Sequence, residues 1–148
     1  MTPDRGSGAP EHRAFVLIVA LIALAGLLMP TPSAAAVSGI RAGGLTVNDR
    51  VNPLGIGDAG THFGWASTAD QRGVVQSAYE LRVGTTAGAG DVWSTGKVTS
   101  TRQVDVAYGG PALRSSTRYH WQVRVWDGAD QASLWSTPAW FETGLLGT

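Results

Sequence analysis

Tyr119-His-Trp121-Gln-Val123-Arg-Val125 sets apolar and polar side chains in strict alternation over seven residues. Successive side chains of an extended chain point to opposite faces, so this is the pattern of a strand with one face buried. Tyr79-Glu-Leu81-Arg-Val83 repeats it, and Val104-Asp-Val106 repeats it briefly. Weaker strand signals fall near Arg41–Val47, His62–Ala66, Val92–Thr95 and Ala139–Thr143. Turn formers separate them: Asn52-Pro53, Asp58-Ala-Gly60, Gly84 to Gly90, Gly109-Gly110-Pro111 and Asp127-Gly128. Seven short strands without an amphipathic helix predict an all-β, seven-stranded antiparallel sandwich.

The approach to the strongest strand sharpens this. Leu113-Arg-Ser-Ser-Thr117-Arg-Tyr119 places a tyrosine at the start of the penultimate strand, six residues after a leucine. That resembles the tyrosine corner of immunoglobulin-like and fibronectin type III sandwiches, where the hydroxyl bonds back to upstream backbone. Trp65, on the second strand, is then the residue between the sheets. The chain has no cysteine, so no disulfide supports the fold. Trp65, Tyr79, Leu81, Val83, Tyr119, Trp121, Val123 and Val125 must carry the core, each large one contributing about 1.5–3 kcal/mol on burial.

The amino terminus reads differently. Arg5, His12 and Arg13 precede an apolar run from Ala14 to Leu28, followed by Pro30, Pro32 and the small residues Ser33-Ala-Ala-Ala36. This is the layout of a signal peptide, shorter than the roughly 20 residues a membrane span needs. Residues 1–36 are assigned as a signal-peptide helix cleaved near Ala36, and residues 37–148 as the sandwich. Neither a twin arginine nor a lipobox cysteine is present, so secretion by the Sec route is expected, with no stable membrane span after cleavage. Of the 148 residues, 112 remain, with nine charges of each sign, all six tryptophans and 17 of the 20 glycines. The balance gives no electrostatic footprint for nucleic acid, and the length suits one core, not two.

A search for chemistry finds little. His62 and His120 lack acidic neighbours at metal-ligand spacing, and His120 falls in an outward, solvated register. There is no Gly-x-Ser-x-Gly elbow, and Gly88-Ala-Gly90 lacks the third glycine of a dinucleotide loop, position 93 being Trp. Asp127-Gly-Ala-Asp130 reads as a hairpin turn before a calcium loop. Glycosidases pair two carboxylates across the scissile bond, whereas Asp49, Asp58, Asp70, Glu80, Asp91, Asp105, Asp127, Asp130 and Glu142 are dispersed singly. No catalytic, metal or cofactor-binding residue is assigned, and no cofactor is expected. Trp126, Trp135 and Trp140 fall outside the inward register of the Tyr119 strand. Three readings stay open for them: local packing, contact with a neighbouring domain, and stacking on a sugar ring.

An ordered set of segments carries a resemblance. Asn52-Pro-Leu-Gly-Ile56, Phe63-Gly-Trp65, Gln76-Ser-Ala-Tyr79 and Asp91-Val-Trp-Ser-Thr-Gly-Lys-Val98 come first. Thr117-Arg-Tyr-His-Trp-Gln-Val-Arg-Val-Trp-Asp127, Trp135-Ser136 and Phe141-Glu-Thr-Gly-Leu-Leu146 complete it. From about Leu45 to Leu146 the chain resembles the N-terminal fibronectin type III-like domain of bacterial α-L-rhamnosidases, glycoside hydrolase family 78. One departure is Gly57 before Asp58, where the family usually places the acid directly after Gly-Ile. The resemblance implies an enzyme that removes terminal α-L-rhamnose with inversion, using a general acid and a general base. It also implies that those carboxylates lie in a downstream (α/α)6 barrel, so none carries over to this chain. The expected role is a non-catalytic accessory module whose partners are the downstream catalytic domains, with rhamnosides as a second candidate partner. The alternative is a stand-alone secreted module that binds carbohydrate or protein through Trp126, Trp135 or Trp140.

Overall fold

The computed structural model describes residues 38–57 and 59–147. The signal-peptide assignment to residues 1–36 lies outside the described residues, as does Asp58. Eight strands follow one another: β1 (Ile40–Val47), β2 (His62–Ala69), β3 (Ala78–Gly84), β4 (Trp93–Ser94), β5 (Val98–Thr99), β6 (Val106–Ala107), β7 (Arg118–Trp126) and β8 (Ala139–Glu142). They form two antiparallel sheets. One runs β1-β2-β6; the other runs β4-β3-β7-β8, with β5 also paired to β3. The chain therefore crosses between sheets around β6, and the architecture is the sandwich that the alternation predicts.

Seven strands were expected and eight are found because one edge is interrupted. Ser94 and Trp93 pair with Arg82 and Val83, while Val98 and Thr99 pair with Tyr79 and Ala78. Between them Gly96 takes a positive φ of 61°, which turns the chain off the extended path. Thr95 N–H still reaches the Leu81 carbonyl at 3.0 Å, so both pieces belong to one edge. The Val104-Asp-Val106 reading needs a larger correction. Val106 is 5% exposed but Val104 is 64% exposed. Asp105 has φ of 54°, so the two valines do not share a face and the strand starts only at Val106.

The inward register of β3 and β7 is as the alternation requires. Tyr79, Leu81, Val83, Tyr119, Trp121, Val123 and Val125 are all buried, with Trp65 facing them. Phe63 and Phe141, both fully buried, complete the centre. The Phe63 ring lies 4.7 Å from that of Trp121 and 6.0 Å from that of Phe141. The core thus closes within the described residues. The Tyr119 hydroxyl accepts the Arg114 N–H at 3.0 Å, which makes the tyrosine corner. Trp65 packs edge-on to Tyr79 at 5.1 Å and donates its indole N–H to Gln76 Oε1 at 3.0 Å. Gly64 sits between two buried aromatics because its outward side is filled: a Cβ there would lie 2.8 Å from Thr46 Oγ1.

Candidate functional site

The outer face of the five-stranded sheet gathers the residues with unspent side-chain chemistry. Outward positions alternate with the core ones: Glu80 and Arg82 on β3, and Arg118, His120, Gln122, Arg124 and Trp126 on β7. On β8 they are Trp140 and Glu142. Arg124 is the hub. Its Nε and Nη2 meet Glu80 Oε2 at 2.8 and 2.7 Å. Its guanidinium also lies 4.9 Å from the centre of the Trp126 ring and 4.8 Å from that of Trp135. Arg82 lies 4.0 Å from Trp135, and Lys97 lies 5.0 Å from Trp126. Cation and ring alternate from Lys97 to Arg82, each contact electrostatically favourable.

The segment that delivers Trp135 is fixed by two serines. Ser133 Oγ accepts the Val125 N–H at 3.0 Å, and Ser136 Oγ accepts the Val123 N–H at 3.1 Å. Their own N–H groups bond back to the Val125 and Val123 carbonyls at 2.7 and 2.8 Å. Hydroxyls thus replace a strand at this edge of β7, and Trp135 is laid over the sheet. The structure brings Trp126 and Trp135 together in this ladder, Trp126 buried and Trp135 half-buried. Trp140 stands apart: Arg118 covers it at 4.1 Å and pairs with Glu142 at 3.1 Å.

Several other polar groups are engaged in structure. His120, expected to be solvated, is half-buried and faces Trp140 and Gly84 across the sheet. His62 Nε2 lies 3.8 Å from Asp105 Oδ1 at the surface. Asp127 closes the β7 hairpin turn: Oδ1 accepts the Ala129 and Gln131 N–H groups at 2.9 and 3.0 Å, and Oδ2 accepts Ser38 Oγ at 2.7 Å. These bonds, Ser38's first, hold its carboxyl below the usual carboxylate range. Asp91 is lowered likewise, chiefly by the Thr85 hydroxyl, which donates to it at 2.7 Å. Among the described residues no group of three or more His, Asp or Glu could hold a metal ion.

Beyond β8 the chain is held down. Thr143 N–H bonds the Thr117 carbonyl, and Gly144 N–H bonds the Ile56 carbonyl at 2.8 Å. Leu146 N–H bonds Ser115 Oγ at 3.0 Å. Residues beyond the last strand usually fray; here they are ordered as a strap as far as Leu146. Only the Phe141-Glu-Thr-Gly-Leu-Leu146 segment hinted at this end of the molecule.

A family model described as Rha78A-like, N-terminal immunoglobulin domain matches residues 42–147, from within β1 to the end of the strap. The chain belongs to that family. An α-L-rhamnosidase of Streptomyces avermitilis is 48% identical over 99 residues, covering 64% of this chain and 10% of that enzyme. One from Formosa agariphila is 38% identical over 105 residues, 68% of this chain and 11% of the enzyme. Solved structures agree. The Streptomyces avermitilis α-L-rhamnosidase complexed with L-rhamnose superposes with a TM-score of 0.68 at 42% identity, over 72% of this chain and 11% of that one. The α-L-rhamnosidase from Dictyoglumus thermophilum gives 0.70 at 36% identity, over 75% and 13%. The chain therefore spans about a tenth of the length of the curated relatives it matches. In this N-terminal immunoglobulin domain family the sandwich, ladder and strap together fill the matched region.

Proposed function

We propose that this chain is the accessory sandwich of a secreted α-L-rhamnosidase of glycoside hydrolase family 78, itself non-catalytic. One observation carries the reading: a 48% identical match takes in nearly all of the sandwich yet only 10% of the relative's length. The chemistry of a glycosidase then belongs to the other nine-tenths. The acids support this. Glu80 and Glu142 are held by arginines, Asp127 and Asp91 by turn hydrogen bonds, and Asp70 and Asp130 by Arg41 and Lys97. Asp127 and Asp91, whose carboxyls these bonds hold below the usual range, are poorly placed to act as general acids. The apolar run from Ala14 to Leu28 and the small residues before Val37 support secretion.

The module's work is mechanical: a rigid block that packs on the downstream catalytic domains and stabilises them. Sugar stacking through Trp126, Trp135 or Trp140 has less support, because each ring already carries a cation. The test is direct. Purified residues 37–148 incubated with an aryl α-L-rhamnoside should release no phenol above background; sustained turnover would overturn the accessory role. Titrating rhamnosides against tryptophan fluorescence should leave the emission unchanged.

A further inference from the structure

Resting on that accessory role, we propose that the strap end of the sandwich is the surface on which the next domain of the rhamnosidase polypeptide docks. Four observations meet there. First, Ile56, Tyr108, Pro111, Leu113 and Leu146 line a groove of about 300 Å³, and among the described residues none that lines it is charged. Second, Ile56 bridges Thr143 in parallel, which sets Gly144 beside Gly55: a Cβ on Gly144 would lie 3.5 Å from the Gly55 backbone. Their neighbours Leu54 and Leu145 are 63% and 87% exposed. One exposed leucine is ordinary; here two lie within two residues of the groove-lining Ile56 and Leu146 and add apolar surface to this end.

Third, the strap is immobilised. Glu142 N–H bonds the Pro53 carbonyl at 3.0 Å, Ile56 N–H the Glu142 carbonyl at 2.9 Å, and Ser116 N–H the Gly144 carbonyl at 2.9 Å. A chain that served only as a loose tether would not need its last residues cross-braced to two loops. Fourth, the family model ends at residue 147, while about nine-tenths of each matched relative lies outside the shared domain. In those enzymes the strap is where the polypeptide leaves an N-terminal domain. The occupant is thus the following domain, received by a pre-ordered apolar end that spares it the cost of ordering the linker.

The test grafts residues 38–147 into the Streptomyces avermitilis α-L-rhamnosidase in place of its own matching domain, and follows unfolding by calorimetry. The docked sandwich should unfold at least about 5 °C higher in the graft than alone. Leu54→Ser with Leu145→Ser should abolish that gain while leaving the melting temperature of the isolated sandwich unchanged. Val75→Ser with Leu134→Ser, at equally exposed positions elsewhere, should keep it. If the Leu54/Leu145 double variant retains the full gain, the docking surface lies elsewhere and the accessory role stands. If the unaltered graft shows no gain at all, the packed accessory role fails and the docking surface with it.

Discussion

Gln76 is 2% exposed and uses its whole amide. Its Oε1 accepts from the Trp65 indole and from Ser67 Oγ, and its Nε2 donates to the Ser100 and Arg102 carbonyls at 3.1 and 3.0 Å. A buried amide so satisfied fixes the segment before β6 to β2. Gln76→Leu should cost about 3 kcal/mol in denaturant unfolding, since it strands several buried partners at once. Tyr119→Phe keeps the ring and removes the acceptor for Arg114 N–H; about 1–2 kcal/mol should be lost. Asp127 sets a pH dependence. Its folded pKa is depressed, so the folded state binds fewer protons and stability rises with pH. The contribution is complete above the unfolded value of about 3.9 and is lost as pH falls through the lower folded value. Ser38→Ala removes the largest cause of that depression. Its melting temperature should lie below wild type at pH 6, and the gap should narrow as pH falls below about 4.

At the scale of elements, periodicity was enough where a strand is long and one face is buried. β3 and β7 pair over seven positions, and every inward residue of both was legible from alternation alone. The short strands were less so. Val104 shares the alternation yet is exposed, because Asp105 takes a left-handed backbone conformation that no hydrophobic pattern encodes. The split of β4 from β5 at Gly96 was hidden for the same reason. A tight turn after β1 shows a missed local signal: Asn48 and Asp49 both have positive φ, and Val47 and Arg50 exchange backbone bonds, as two-residue turns of this kind demand. The tryptophan ladder was half legible. The sequence set Trp126, Trp135 and Trp140 outside the inward register of the Tyr119 strand, but which of them meet was hidden, because Trp135 is laid over the sheet by the Ser133 and Ser136 hydroxyls. Arg124→Ala should cost about 2 kcal/mol, as it breaks the partly buried Glu80 pair and two ring contacts. Arg118→Ala, half-exposed beside Trp140, should cost less than about 1 kcal/mol.

For the described residues, stability without disulfides comes from one aromatic-rich core, and several acids, Glu80, Asp91, Asp127 and Glu142 among them, hold turns and faces. The strap end is braced, and no described residue lining the groove there is charged; the matched relatives are about ten times longer than the shared domain. The apolar strap end was not legible as a surface, since it is assembled by pairing Ile56 with Thr143, far apart in the chain. The central claim is that this domain supports a rhamnosidase mechanically and contributes no catalysis. The measurement that tests it most directly is the half-life of rhamnosidase activity at raised temperature. It compares the Streptomyces avermitilis enzyme lacking its matching domain with the same enzyme carrying residues 38–147 grafted in its place. The account predicts a longer half-life with the graft and a kcat per active site that does not change. An unchanged half-life, or a kcat that depends on the graft, would contradict it.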